Sequence, residues 1–377
     1  MVQDMVRDTK KLGFGLMRLP KCADNPKKID VEQVKEMVDL FLDAGFTYFD
    51  TAFVYDGGES EKAAKEALID RYPRESFTMC TKMNAWLGHP DMETTKKQLE
   101  ISLERTGAGY FDYYLLHALQ VDNWKLYDEY GLWDFLREQK EKGILKKIGF
   151  SFHAGPGLLD ELLAKHPETD FIQLQINYAD WDDPGIASGA NYEVARKYNM
   201  PVTIMEPVKG GKLADPVDAV KAVFDAEKKD ASYASWAVRF AASLEGIITV
   251  LSGMSSVEQM KDNIGYMKEF RPLDAHEREV ILRAQAALNE DKSIACTACH
   301  YCTDGCPLNI PIPEIFAVRN RRDLYSPFDG GRRAYEVATT GRGRASECIA
   351  CGQCESACPQ RLQIIDLLRE CATVLER

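Results

Sequence analysis

From about residue 11 to residue 265, short runs of β-branched and aromatic residues alternate with longer stretches whose apolar positions recur at three-and-four spacing. Runs at 12–19, 47–50, 77–82, 111–117, 145–151, 171–175, 202–205 and 247–251 predict strands. The clearest amphipathic stretch is 31–44, with Val31, Val34, Val38 and Phe41 or Leu42 on one face. Asp30 stands as its N-cap with Gln33 three residues on, and Gly45 as its stop. Such alternation predicts a parallel sheet with crossover helices, and about eight strands in this length is the size of a (β/α)8 TIM barrel. A doubly wound open sheet is the alternative, but no strand run is followed by G-x-G-x-x-G. Gly210-Gly211-Lys212-Leu213 also lacks the spacing and hydroxyl of a phosphate-binding loop. A further helical pattern at 274–288 reads as a linker, and beyond it the strand patterns vanish.

What replaces them is cysteine. Of 11 cysteines in 377 residues, two groups near the C-terminus share one spacing: Cys296-x2-Cys299-x2-Cys302-x3-Cys306-Pro307 and Cys348-x2-Cys351-x2-Cys354-x3-Cys358-Pro359. Two-residue spacings let successive thiolates converge from a tight loop, and this is the bacterial ferredoxin spacing for [4Fe–4S] clusters. Structural zinc takes four ligands at wider, paired spacing. In two-cluster ferredoxins the fourth cysteine crosses over. One cluster is therefore expected on Cys296, Cys299, Cys302 and Cys358, the other on Cys348, Cys351, Cys354 and Cys306. With helical patterns at 312–322 and 362–375, the chain reads as an α/β barrel domain over 1–285 and a small α-helical ferredoxin-like domain over 286–377. His300 falls outside the ligand spacing, Cys80 reads as a buried apolar thiol, and Cys22 and Cys371 suggest no chemistry.

Net charge is −12, which argues against a nucleic-acid or anionic-membrane partner. Arg319, Arg321, Arg322, Arg332, Arg333, Arg342 and Arg344 read as offsetting the negative charge of thiolate-held clusters. No apolar run is long enough to span a bilayer, residues 1–10 have no signal-peptide pattern, and clustered thiols suit a reducing compartment, so the expected location is the cytoplasm.

Active sites of such barrels collect at the C-terminal ends of the strands. Three consecutive predicted strands end in Asp50, Lys82 and His117, and Tyr55 follows Asp50 by five residues. Phe49-Asp50-Thr51-Ala52-x-x-Tyr55, Thr81-Lys82, the run from Tyr110 to His117 and Ile148-Gly149-Phe150-Ser151 resemble the aldo-keto reductase family. Leu251-Ser252-Gly253-Met254-Ser255 followed by Asn263 is similar to its cofactor-binding segment, and the cysteine groups resemble the subgroup with a C-terminal dicluster domain. The resemblance implies reduction of a small-molecule aldehyde, ketone or quinone by NADP(H) or NAD(H). Tyr55 would give the proton, Lys82 would lower its pKa, Asp50 would pair with Lys82, and His117 would orient the substrate oxygen. Ser151 and Gln173 would hold the carboxamide. The loop with Pro207, Gly210, Gly211 and Leu213 would carry the pyrophosphate, and Ser252, Gly253, Ser255, Gln259 and Asn263 the adenylate end.

The chain departs from the family pattern at Phe152, Met205, Gly253 and Gln259, each removing one cofactor contact, while Lys209 and Lys212 are candidates to restore positive charge. Trp86 and Trp124 are candidates for an aromatic pocket. Hydride carries two electrons and a cluster one; a flavin would convert between them, but no sequence signature marks one. An electron-transfer protein partner is expected for the clusters. The alternatives are a redox-sensing nucleotide-binding protein with little turnover, and a reductase whose clusters are structural.

Overall fold

Ten strands are set in a computed structural model that describes residues 2–88, 90–288, 293–325 and 329–376. In chain order they are β1 (Leu12–Gly15), β2 (Lys21–Cys22), β3 (Asn25–Ile29), β4 (Tyr48–Asp50), β5 (Thr78–Met83), β6 (Phe111–Leu119), β7 (Leu145–Phe152), β8 (Phe171–Gln175), β9 (Val202–Met205) and β10 (Ile247–Ser252). Eight of them close into a barrel in the order β1-β10-β9-β8-β7-β6-β5-β4, every pairing parallel, while β2 and β3 form a separate antiparallel hairpin.

Side chains two apart share one face of a strand, and this period places the site. Tyr48, Cys80, Tyr113, Leu115 and Phe171 form one buried cluster with Ile248 and Leu251, joined by Met5 of the N-terminal helix Val2–Asp8. The Tyr113 ring lies 5.1 Å from that of Tyr48 and meets Phe171 edge-on at 4.8 Å. Two residues beyond Tyr48, Cys80, Leu115 and Phe171 stand Asp50, Lys82, His117 and Gln173. The inward face thus turns from the buried cluster to polar residues in one step along β4, β5, β6 and β8. Gly149 on β7 permits the closure, because a Cβ there would stand 2.0 Å from the Phe171 carbonyl oxygen of β8.

Outside the barrel, helix Val31–Asp43 buries Val34, Met37, Val38 and Phe41, and the Asp30 carboxylate accepts the Gln33 amide at 3.1 Å. The first predicted strand overruns: β1 stops at Gly15 and Leu16–Arg18 turns as a 3-10 segment. Helix Ala275–Leu288 is packed rather than a free linker. It buries Val280, Ile281 and Ala284, and Arg239 grips Glu277 through two bonds of 2.7 and 2.8 Å. No helix among the described residues is long and apolar enough to cross a membrane.

The chain divides into two units, Met1–Val208 with Leu213–Gln285 and Lys209–Lys212 with Ala286–Arg377. The second is helical, with no strand among its described residues. Its two halves repeat at an offset of about 52 residues. Tyr301–Asp304 answers Gln353–Ser356, and Ile312–Tyr325 answers Ile364–Leu375. Positive φ recurs at Ala298 and Ala350, His300 and Gly352, and Asn309 and Arg361. Ile312, Ile315, Phe316, Ile364, Leu368, Cys371 and Leu375 share its buried core.

Candidate functional site

The ends of β4 and β5 bring Asp50 and Lys82 together inside the barrel. The buried Lys82 ammonium donates to Asp50 Oδ1 at 2.5 Å and to the Thr51 carbonyl at 2.7 Å, and Gln173 Nε2 donates to Asp50 Oδ2 at 3.1 Å. Tyr55 opens the 3-10 turn Tyr55–Gly58 after β4, and its ring centre lies 4.9 Å from Lys82 Nζ. The His117 ring meets the Tyr55 ring nearly edge-on at 5.7 Å. Directly after His117, Ala118 takes φ +55 and the β6–β7 register shifts, a bulge that re-aims the strand end.

One expectation is corrected. Lys82 was expected to lower the Tyr55 pKa, but burial, followed by the Asp50 carboxylate, pushes the phenol well above its ordinary value. Asp50 already matches the lysine charge, so little of it is left for the phenol. The cation that pulls Tyr55 downward is Arg18, with Glu206 opposing it. Sequence reasoning missed both residues. Arg18 ends the 3-10 segment after β1, Glu206 follows β9, and their side chains pair at 3.2 Å. Since β10 stands between β1 and β9, the pair links the two strands flanking β10. His117 moves the other way: burial, then Lys82, then His153 lower its pKa well below the ordinary value.

Of the expected nucleotide contacts, Ser151 Oγ accepts the Ala118 amide at 2.7 Å, and Gln173 is committed to Asp50 as above. Ser252 and Asn263 are buried, and Ser255 Oγ donates to the Arg18 carbonyl at 2.7 Å. Gln259 accepts the Ser255 amide at 2.7 Å, and its carbonyl accepts Asn263 Nδ2 at 2.9 Å. That leaves Asn263 Oδ1 buried without a partner, an acceptor suited to an amine of a ligand such as adenine. A Cβ at Gly253 would come no closer than 4.0 Å to Arg18 and the Gly15 carbonyl, so backbone is open to approach there. Pro207 and Leu213 belong to the barrel unit, whereas Lys209–Lys212 belongs to the second. There Gly210, at φ +64, abuts Thr297, and the Lys212 ammonium donates to the Ile294 carbonyl at 2.5 Å. Trp86 Nε1 reaches the His117 carbonyl at 3.4 Å, while the Trp124 ring lies under the ammonium groups of Lys125 and Lys165.

In the second unit the cysteines sort into two cavities. Cys296, Cys299, Cys302 and Cys358 line one; Cys306, Cys348, Cys351 and Cys354 line the other. Each takes three cysteines from one motif and the fourth from the other. Ile312 borders both. Among the described residues no three His, Cys, Asp or Glu side chains converge closely enough for a single ion. The 2-2-3 spacing of each motif, with proline after the fourth cysteine, suits a multi-iron group better than zinc with its paired spacing. Burial, then Cys299, Cys296 and Cys358, push the Cys302 thiol up; burial, then Glu355, Cys348 and Cys351, do the same at Cys354. A bound cationic group would remove that penalty. Backbone amides of Ala298 and Ile310 already point at Cys296 Sγ (3.4 Å) and Cys306 Sγ (3.5 Å). His300 lines the first cavity outside the quartet; Cys80 and Cys371 are buried. Of the arginines, Arg342 pairs with Glu314 at 3.2 Å; the side chains of Arg321, Arg322, Arg332 and Arg333 lie outside the described residues.

Comparison with known proteins agrees with both halves. Residues 11–284 match the aldo/keto reductase family and residues 295–363 a 4Fe-4S dicluster domain. A probable aldo-keto reductase 1 of Glycine max is 31% identical over 46% of this chain and 49% of its own length. An aldo-keto reductase of Mycolicibacterium smegmatis is 27% identical over 65% of this chain and 81% of its own. The uncharacterized oxidoreductase YqkF of Bacillus subtilis is 21% identical over 74% and 95%. Among solved structures, the holo form of aldo-keto reductase AKR11C1 from Bacillus halodurans superposes with a TM-score of 0.58 at 24% identity, covering 73% of this chain and 91% of that one. A Klebsiella pneumoniae aldo-keto reductase in complex with NADPH gives 0.58 at 17%, covering 73% and 90%. The chain belongs to the aldo/keto reductase family, an oxidoreductase barrel followed by a 4Fe-4S dicluster domain.

Proposed function

We propose that the protein reduces an aldehyde, ketone or quinone with NADPH or NADH, and that its two cysteine quartets each hold a [4Fe–4S] cluster for electron transfer. The observation that carries the reductase reading is the buried Asp50–Lys82 pair with Tyr55 and His117 grouped around it at the barrel mouth. The bound nicotinamide would supply hydride to the carbonyl carbon. Tyr55, kept protonated by its surroundings, gives the proton to the carbonyl oxygen, so that one hydride and one proton make one alcohol. His117, kept neutral, donates a hydrogen bond to that oxygen and fixes its direction. Asp50, itself held by Gln173, keeps Lys82 in place beside the Tyr55 ring. Ser151 and Gln173 would hold the carboxamide, Pro207, Gly210, Gly211 and Leu213 would carry the pyrophosphate, and Ser252, Gly253, Ser255, Gln259 and Asn263 the adenylate end. For this last group the unpartnered Asn263 oxygen is the supporting observation. Residues 1–285 serve as the reductase and 286–377 as the electron-transfer domain, in a cytoplasm reducing enough to keep thiolates as ligands.

Replacing Tyr55 with Phe removes the proton donor while keeping the ring. Carbonyl reduction should fall by at least about a hundredfold with the iron–sulfur absorbance unchanged. Turnover that survives Tyr55→Phe would overturn the assignment.

A further inference from the structure

His117 stands at a break in the barrel's hydrogen-bond ladder. β6 pairs with β7 at Leu116 and Phe150 and resumes at Leu119 and Phe152, so His117 and Ala118 together face Ser151 alone. Two residues against one make a bulge. Ala118 enters the left-handed region at φ +55, which an alanine adopts at a steric cost and keeps only where its surroundings hold it. The ladder that would ordinarily take up the peptide groups of both residues is interrupted there, and side chains of nearby segments take its place.

The His117 carbonyl accepts the Tyr127 hydroxyl and, at 3.4 Å, Trp86 Nε1. The Ala118 amide donates to Ser151 Oγ at 2.7 Å, and the Ala118 carbonyl accepts Asn123 Nδ2 at 3.0 Å. Asn123 is fixed in turn, its Oδ1 accepting the Gln120 amide at 2.8 Å. Tyr127 is fully buried on the short helix Trp124–Glu129, and its oxygen also accepts the Ala85 amide at 3.4 Å. Ala85 lies three residues beyond Lys82, so one phenol joins the loop leaving β5 to the strand end that carries the imidazole. Burial pushes the Tyr127 phenol above its ordinary pKa, which keeps the hydroxyl a donor. Tyr114 is buried as fully, yet its hydroxyl has no partner among the described residues, so burial alone does not call for such a contact.

We propose that Tyr127 is a positioning residue for His117: its hydroxyl holds the His117 carbonyl, and Asn123 the Ala118 carbonyl, in the bulged form that turns the imidazole toward the Tyr55 ring. The proposal rests on the reading that His117 directs the substrate oxygen. Released from these partners, Ala118 relaxes out of its strained conformation and the strand end slips toward regular pairing. A slip of one place turns a side chain to the opposite face, so the imidazole leaves the barrel mouth. Tyr127 thus acts on turnover through the direction of one ring and not through contact with substrate.

The test uses the anaerobically reconstituted full chain with NADPH or NADH, and 4-nitrobenzaldehyde, acetophenone and menadione as probe carbonyls. Tyr127→Phe should lower kcat about tenfold, with nucleotide affinity, read by isothermal titration, unchanged. Asn123→Ala, which releases the other carbonyl of the bulge, should lower kcat about threefold. Neither change should slow a chain that already carries His117→Gln, because the ring they aim is gone, whereas a general loosening of the barrel would slow it further. Tyr114→Phe should leave turnover unchanged. In ¹⁵N-histidine spectra, Tyr127→Phe should shift the resonances that His117→Gln removes and leave those of His166 and His276 in place. Wild-type turnover in both bulge variants, equal losses with and without His117→Gln, or nucleotide affinity falling with turnover would overturn the positioning role and leave the reductase reading standing. A wild-type chain that reduces none of the probes, or a His117→Gln chain as fast as wild type, overturns that reading, and this inference with it.

Discussion

Burial works on the barrel's ionisable residues with opposite signs, since it disfavours whichever form is charged. It lifts the phenol of Tyr55 and depresses the imidazole of His117, so both stay neutral beside the charged Asp50–Lys82 pair. For His117 this has a stability consequence. An unfolded chain has a histidine titrating near 6.5 and takes up a proton below that pH, while the folded barrel refuses it. The unfolded state then binds more protons, and stability falls as the pH drops below about 6.5, by at most about 1.4 kcal/mol per unit. His117→Gln should make the urea-unfolding midpoint of the barrel fall less steeply between pH 7 and 5 than in wild type; equal slopes would refute the burial argument. Asp50, Lys82 and His117 were legible in the sequence because strand ends announce themselves by residue type. Arg18 and Glu206 were not. They meet only through barrel closure, and their influence on Tyr55 matters because Asp50 has already matched the Lys82 charge.

Periodicity located the elements well where a strand or helix repeats its pattern, and poorly where it does not. Residues 171–175 and 202–205 lie on strands with those bounds, and Asp30 caps its helix as expected. The β2–β3 hairpin went unseen. Its five-residue second strand contains a proline and two lysines, is exposed over its first four positions, and so carries no apolar alternation to read. The run beginning at Leu12 continued past Gly15 because Leu16, Met17 and Leu19 are apolar, though Leu16–Arg18 turns rather than extends. Gly149 shows a constraint that hydrophobicity does not express: it is the approach of β8, not the local chain, that excludes a side chain there. Gly149→Ala would force β7 from β8 and cost about 3 kcal/mol by overpacking. The thermal midpoint should fall by roughly 5 °C. Because β7 carries Ser151 and β8 carries Gln173, turnover should fall with it. An unchanged melting curve would mean that the strands can part without cost.

Across the whole chain, the strongest sequence signal was the repeated cysteine spacing, and its physical content lies in which four sulfurs face one another. Spacing alone allows each motif to serve its own cluster. The cavities divide them otherwise, Cys358 facing the first motif and Cys306 the second. Paired substitutions separate the two arrangements, because two losses in one cluster cost no more than one loss, whereas losses in different clusters add. Under crossed ligation, Cys296→Ser combined with Cys358→Ser should remove about half the iron and leave one intact cluster signal. Cys348→Ser combined with Cys358→Ser should disrupt both clusters and remove nearly all of it. Under local ligation the two results exchange places. Iron content and low-temperature paramagnetic resonance of the reduced proteins decide between them.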